Sequence, residues 1–177
     1  MSVADHDARM TPHPLLVAGS QLVIWRLDPA HYGPTWDNGE GAYKAGGRWN
    51  SKNRRVVYCS LDPATTIIEV AVHKGFRTLD TVPHTLTSAS IADPSKVFVV
   101  KPSDVPNPNW LRPGIPSAGQ QQFGDNLLVK HPFVLFPGVV STYSWNLVFS
   151  VALASGLYTV RSQEPFALDP RLHPPSP

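Results

Sequence analysis

The sequence predicts an α+β fold in one domain. Three observations carry this. Helical and strand-like segments are mixed without the regular βαβ alternation of a doubly wound sheet. The chain has 177 residues, 42% hydrophobic and 16% charged, which suits a single domain around one core. Its 19 prolines impose turns and short elements and weigh against a helical bundle.

Residues 1–14 read as a loose N-terminal tail, 15–172 as the domain and 173–177 as a C-terminal tail. "QLVIWRLD" alternates as a strand, with Leu22, Ile24 and Arg26 on one face and Val23, Trp25 and Leu27 on the other. An arginine beside Leu22 and Ile24 either snorkels at a strand end or enters a polar pocket. "DPAHYGPTWDNGEGAYKAGG" follows as a long loop, and long loops are often functional. "RRVVYCS" is a second strand, on which Cys59 reads as a small buried residue.

Asp62 then suits a helix N-cap and Pro63 a first helical position, with the helix running to a stop at Gly75. Ala64, Ile67, Ile68, Ala71 and Val72 are its expected core face, with Glu69 at the border of that stripe. "KVFVVK", "FVLFPGVVS" and "WNLVFS" are further strands. "NWLRPGIPSAGQQQFGDNLL" is a turn-rich link with room for a short helix. "YTVRSQEPFALDPRL" closes the chain as a strand and an extended tail.

Several function classes find no support. A net charge of +2 gives no bulk attraction to nucleic acid. No segment is long and apolar enough to span a membrane, and the N-terminus lacks a signal-peptide layout, so the sequence reads as cytoplasmic. One cysteine excludes an internal disulfide. The histidines are scattered, three of them (His13, His131, His173) beside prolines, which is poor spacing for a metal site. Phosphate-loop, nucleophile-elbow and paired-histidine zinc motifs do not occur.

What remains is a set of polar residues in apolar settings: Arg26, Arg48 after Gly46-Gly47, Tyr58 and Glu69. Each alone has a structural explanation, as a solvated helix position, a core tyrosine or a hairpin arginine. Brought into one pocket, two arginines and a carboxylate suit a ligand with phosphates and a developing positive charge. Arginines hold a pyrophosphate through forked, charge-assisted bonds. A carboxylate steadies an oxocarbenium-like centre.

The order of these residues resembles the RES domain, the toxin half of RES–Xre toxin–antitoxin pairs. The family pattern is matched by Arg26, Gly46-Gly47-Arg48-Trp49-Asn50, Val56-Val57-Tyr58 and Ile68-Glu69-Val70-Ala71-Val72-His73. Asn109-Trp110, "FGDNLL" from Phe123 and the closing "EPFALDPRL" extend it over residues 22–172. The resemblance implies an ADP-ribosyltransferase-like fold with a split, mostly antiparallel sheet flanked by helices. It also implies NAD as substrate, with hydrolysis or phosphorolysis of the nicotinamide–ribose bond, while the histidine spacing gives no expectation of a metal. An Xre-type helix-turn-helix antitoxin covering the active site is implied as partner, with room for a homodimer within the complex and DNA contact left to the antitoxin.

On this resemblance Glu69, Arg48 and Tyr58 are the expected catalytic residues. Arg26, Arg48, Tyr58, Ser141 and Asn146 are expected to bind NAD. Arg48 and Arg26 would hold the pyrophosphate, Tyr58 would stack on nicotinamide or ribose, and Glu69 would steady the oxocarbenium. Trp49 would pack beneath the loop while the glycines let the backbone approach the ligand. Two departures stand out. Gly138 occupies the place of a family serine, with Ser141 or Ser144 nearby, and a later family segment is eroded to Asn146-Leu147-Val148-Phe149-Ser150. They keep open two alternatives, an ADP-ribosyltransferase acting on a cellular protein and a binding module in which Arg48 and Glu69 form a structural ion pair.

Overall fold

The computed structural model describes residues 21–112, 114, 116–141 and 143–172. Both predicted tails lie outside them. The strands are β1 (Leu22–Pro29), β2 (Val56–Ser60), β3 (His84–Ile91), β4 (Val97–Val99), β5 (Phe133–Pro137), β6 (Trp145–Ser150) and β7 (Tyr158–Phe166). The helices are α1 (Glu40–Ala45), α2 (Pro63–Lys74), α3 (Phe76–Thr81), α4 (Ala118–Leu128) and α5 (Val151–Ala154).

One seven-stranded sheet runs in the order β4-β5-β6-β2-β1-β3-β7. Its pairs are antiparallel apart from β4 with β5. The expected α+β fold with a mostly antiparallel sheet is therefore present. β1 follows β3 along its whole length, from Leu22↔Ile91 to Pro29↔His84. Between β1 and β2, by contrast, the only register pair is Trp25↔Ser60. The sheet is nearly cut there, and the backbone of β2 beyond that point is free to meet side chains instead of a strand.

Alternation along β2 divides the apolar residues. Val57 and Cys59 join Leu22, Ile24, Trp36, Leu147 and Phe149 in one cluster. Val56 packs with Trp49, Trp110, Phe136 and Val148 in another, against which Tyr58 rests. A third cluster, Leu27, Ala71, Leu79 and Leu168, lies under α2 and α3. Cys59 is buried as expected.

Three expectations need correction. The core face of α2 is not the apolar stripe: Thr65, Thr66 and Ala71 are buried, while Ala64, Ile68 and Val72 are exposed, Val72 by 61%. Ile67 is half-buried, as is Val70. The reason is hydrogen bonding. Asp62 accepts from Thr65 N and Oγ1, and Thr66 Oγ1 donates to the Trp25 carbonyl on β1. The threonines satisfy buried strand and cap groups, and this rolls the helix toward its polar side.

The strand expected over "FVLFPGVVS" ends at Pro137, because Gly138 N turns back to the Ser144 carbonyl and closes a loop. The long loop after β1 contains α1, held at its C-terminus by Gly46 N on the Ala42 carbonyl, with Gly46 at φ 73°. β3 and α3 match no sequence expectation.

Candidate active site

The Gly46–Ser51 loop is built around Asn50, which is fully buried. Its Nδ2 donates to the Ala42 and Ser51 carbonyls, and its Oδ1 accepts from the Tyr58 hydroxyl at 2.7 Å. The same hydroxyl accepts from Trp49 N at 3.0 Å. Gly47 makes this approach possible, since a Cβ there would sit 2.7 Å from Asn50 Oδ1 and 2.8 Å from Tyr58 Cζ. Its lack of a side chain thus serves Tyr58.

Trp49 packs beneath the loop as expected. It is 2% exposed and stacks on Phe136 with ring centroids 4.3 Å apart. From α4, Gln121 Nε2 donates to the Gly47 carbonyl, and buried Asp125 accepts from Ser51 N and Oγ and from Arg54 Nε. Gly124 clears the Trp49 backbone, whose Cα would lie 2.9 Å from any Cβ there.

Among the described residues, this scaffold leaves Arg48 with one hydrogen bond, Nη1 to the Trp110 carbonyl at 3.2 Å. Burial pulls its guanidinium below the ordinary arginine range, and the nearby Glu69 carboxylate and Tyr58 act in the opposite sense. Burial also pushes the Tyr58 phenol up, against the donation from Trp49 N–H, so Tyr58 is neutral at ordinary pH.

Glu69 is half-buried on α2. Its Oε1 accepts from Asn146 Nδ2 at 2.7 Å, and Asn146 Oδ1 accepts from the Ser60 hydroxyl at 2.9 Å. No ion pair joins Glu69 to Arg48. The two charges are close enough to act on each other, yet each is turned onto a neutral partner.

Arg26 is placed differently from Arg48. Nε and Nη2 fork onto Asp28 at 2.7 Å each, and Nη1 donates to the Tyr58 carbonyl at 2.8 Å. It thus fills the gap where β1 and β2 part, its charge matched by Asp28. Ser141 and Ser144 share a hydroxyl bond of 2.8 Å, and Ser144 Oγ lies 3.0 Å from Thr65 Oγ1, one turn before Glu69. The structure therefore gathers Arg48, Tyr58, Glu69 and Asn146 around α2 and the split in the sheet. Ser141 is tied to their border, and Arg26 serves as a brace.

Asn50 and the Gly124-Asp125 pair were within recognised motifs, but Asn50 is uncharged and the Asp125 carboxylate is turned onto Arg54 and Ser51. Ser60, 86 positions from Asn146, had no signal in the sequence at all. Concavities of about 370 Å³ beside His84 and about 440 Å³ beside Leu153 are lined by none of Arg48, Tyr58, Glu69 and Asn146. Among the described residues, no group of three or more His, Cys, Asp or Glu side chains could hold a metal.

Among curated proteins no sequence matches the chain. A chain in the crystal structure of the M. tuberculosis MbcT–MbcA toxin–antitoxin complex is similar in fold, with a TM-score of 0.62 at 18% identity. That match covers 93% of this chain and 91% of the other. The RES domain family matches over residues 23–169 and takes in every motif that builds the Arg48 loop and presents Glu69. The chain belongs to the RES domain family.

Proposed function

We propose that this protein is the toxin of a toxin–antitoxin pair and that it consumes NAD by cleaving the nicotinamide–ribose bond. The observation that carries the reading is the separation of Arg48 and Glu69. Two partly buried opposite charges that do not pair are suited to a ligand that is anionic at one end and becomes cationic at the other. NAD in the act of losing nicotinamide is such a ligand.

Arg48 is the pyrophosphate anchor, with Nη2 and Nε available beyond its bond to Trp110. The Tyr58 hydroxyl is spent on the loop, which leaves the ring face for nicotinamide or ribose. As the C–N bond breaks, its electron pair leaves with neutral nicotinamide and C1′ takes on oxocarbenium character beside Glu69. Water or phosphate then adds at C1′ and loses a proton. Arg26 braces the open edge of β2 through the Tyr58 carbonyl. The exposed Ile68 and Val72, on either side of Glu69 along α2, suit a covering antitoxin of the Xre type.

The test is the product mixture from NAD, with and without phosphate, resolved by mass. Free ADP-ribose identifies water as acceptor, a phosphorylated ADP-ribose identifies phosphate, and a labelled protein identifies a transferase. Arg48→Ala is expected to raise the KM for NAD by about tenfold or more. A wild-type protein that neither binds nor consumes NAD refutes the proposal.

A further inference from the structure

We infer that Ser60 is a positioning residue for Glu69, acting through the side-chain amide of Asn146. The inference rests on the proposed role of Glu69 and adds a residue that no motif contains.

Ser60 ends β2, Asn146 lies on β6, and the two are register partners across the strands. Ser60 is 3% exposed. Its hydroxyl donates to Asn146 Oδ1 at 2.9 Å, and Asn146 Nδ2 donates to Glu69 Oε1 at 2.7 Å. An amide has one accepting end and one donating end, whereas a carboxylate only accepts. Turned over, Asn146 would set Oδ1 against Glu69, acceptor facing acceptor. The Ser60 proton holds Oδ1 on the far side and so commits the donating end to Glu69.

Glu69 Oε1 is thereby occupied, and Oε2 has no hydrogen bond to any described residue. One oxygen is fixed by the protein and the other is left for the ligand. A carboxylate restrained at one oxygen cannot rotate away as charge develops at C1′, which is the preorganisation that electrostatic stabilisation requires. The effect belongs to the bond-breaking step more than to NAD binding, since the pyrophosphate is held elsewhere, by Arg48.

The experiment compares wild type, Ser60→Ala and Ser60→Thr by steady-state NAD turnover. The Asn146 side-chain amide is followed by ¹⁵N NMR, its signal identified by its loss in Asn146→Ala. Ser60→Ala is expected to lower kcat about tenfold, because the Asn146 amide, free to turn, gives up its bond to the charged Glu69, with KM little changed. Ser60→Thr, which keeps the hydroxyl, restores kcat. The Asn146 amide protons are expected to shift in Ser60→Ala and to return in Ser60→Thr. An unchanged kcat or an unmoved amide signal in Ser60→Ala overturns the inference, as does a folded Ser60→Thr that stays as impaired as Ser60→Ala. If wild type does not turn over NAD, the proposed function falls, and the amide signals still decide whether Ser60 orients Asn146 toward Glu69.

Discussion

Gly138 has no room for a side chain. A Cβ at that position would lie 2.6 Å from the Ser141 carbonyl oxygen and 2.9 Å from that of Ser144, both backbone atoms. The departure from the family serine is therefore built into the loop that carries Ser141 and Ser144. Gly138→Ser is expected to destabilise the fold by about 1–3 kcal/mol, measured by urea unfolding, because the loop must move to accept it. It is not expected to supply a better pocket serine. At this scale the sequence was legible where a side chain had a size or charge to interpret. Trp49 packs under its loop as its bulk suggested. Gly47 was legible as a close-approach glycine, but the group approaching it is the Tyr58 hydroxyl. Asn50 was not legible, because a fully buried amide with three partners looks the same in sequence as a turn residue.

Among the elements, α2 and α4 do the positioning. The apolar positions of α2 suggested one roll angle, and the threonines impose another. Threonine hydroxyls that satisfy a cap and a strand carbonyl outweigh the exposure of Ile68 and Val72, and the resulting roll half-buries Glu69. Periodicity weighs apolar area alone, so it missed this. The same bias hid β3, whose "HTLTSASI" is buried through polar residues such as His84, Thr87 and Ser88. Ser88 finds the Ser162 hydroxyl on β7 at 2.8 Å. From α4, Asp125 holds the Arg48 loop without belonging to it. Asp125→Asn replaces an acceptor of Ser51 and Arg54 with a group that also donates. It is expected to cost about 1–3 kcal/mol in stability. A several-fold rise in the KM for NAD should accompany this, because the loop that carries Arg48 loosens. Loss of stability with an unchanged KM would show that the clamp does not reach the site.

Across the whole molecule, the sheet carries a core on each face and is joined at its middle by one register pair. Fold class was legible because it depends on the mixture and shortness of elements, which prolines and patterning report. A split sheet was implied by the family resemblance, but its place between β1 and β2 was not legible, since strand order is not written in local pattern. Cys59 lies in the core on one side of that cut, and burial pushes its thiol up from 9.0 to about 12. The folded chain holds this proton more tightly than the unfolded chain. Its contribution to stability is full below pH 9.0 and is lost as the pH rises toward about 12. Denaturant midpoints are therefore expected to fall as the pH rises from about 9 to about 10.5, and to fall less in Cys59→Ala. Tyr58 shifts in the same direction, so Cys59→Ala removes only part of the drop.

The central claim is that Glu69 acts on NAD held by Arg48. Its most direct test is NAD loss and nicotinamide release by wild type and Glu69→Gln, at matched concentration and with folding checked by circular dichroism. Wild type is expected to release nicotinamide, and Glu69→Gln to be slower by about 100-fold or more while it still binds NAD. A Glu69→Gln protein that consumes NAD at the wild-type rate would contradict the account.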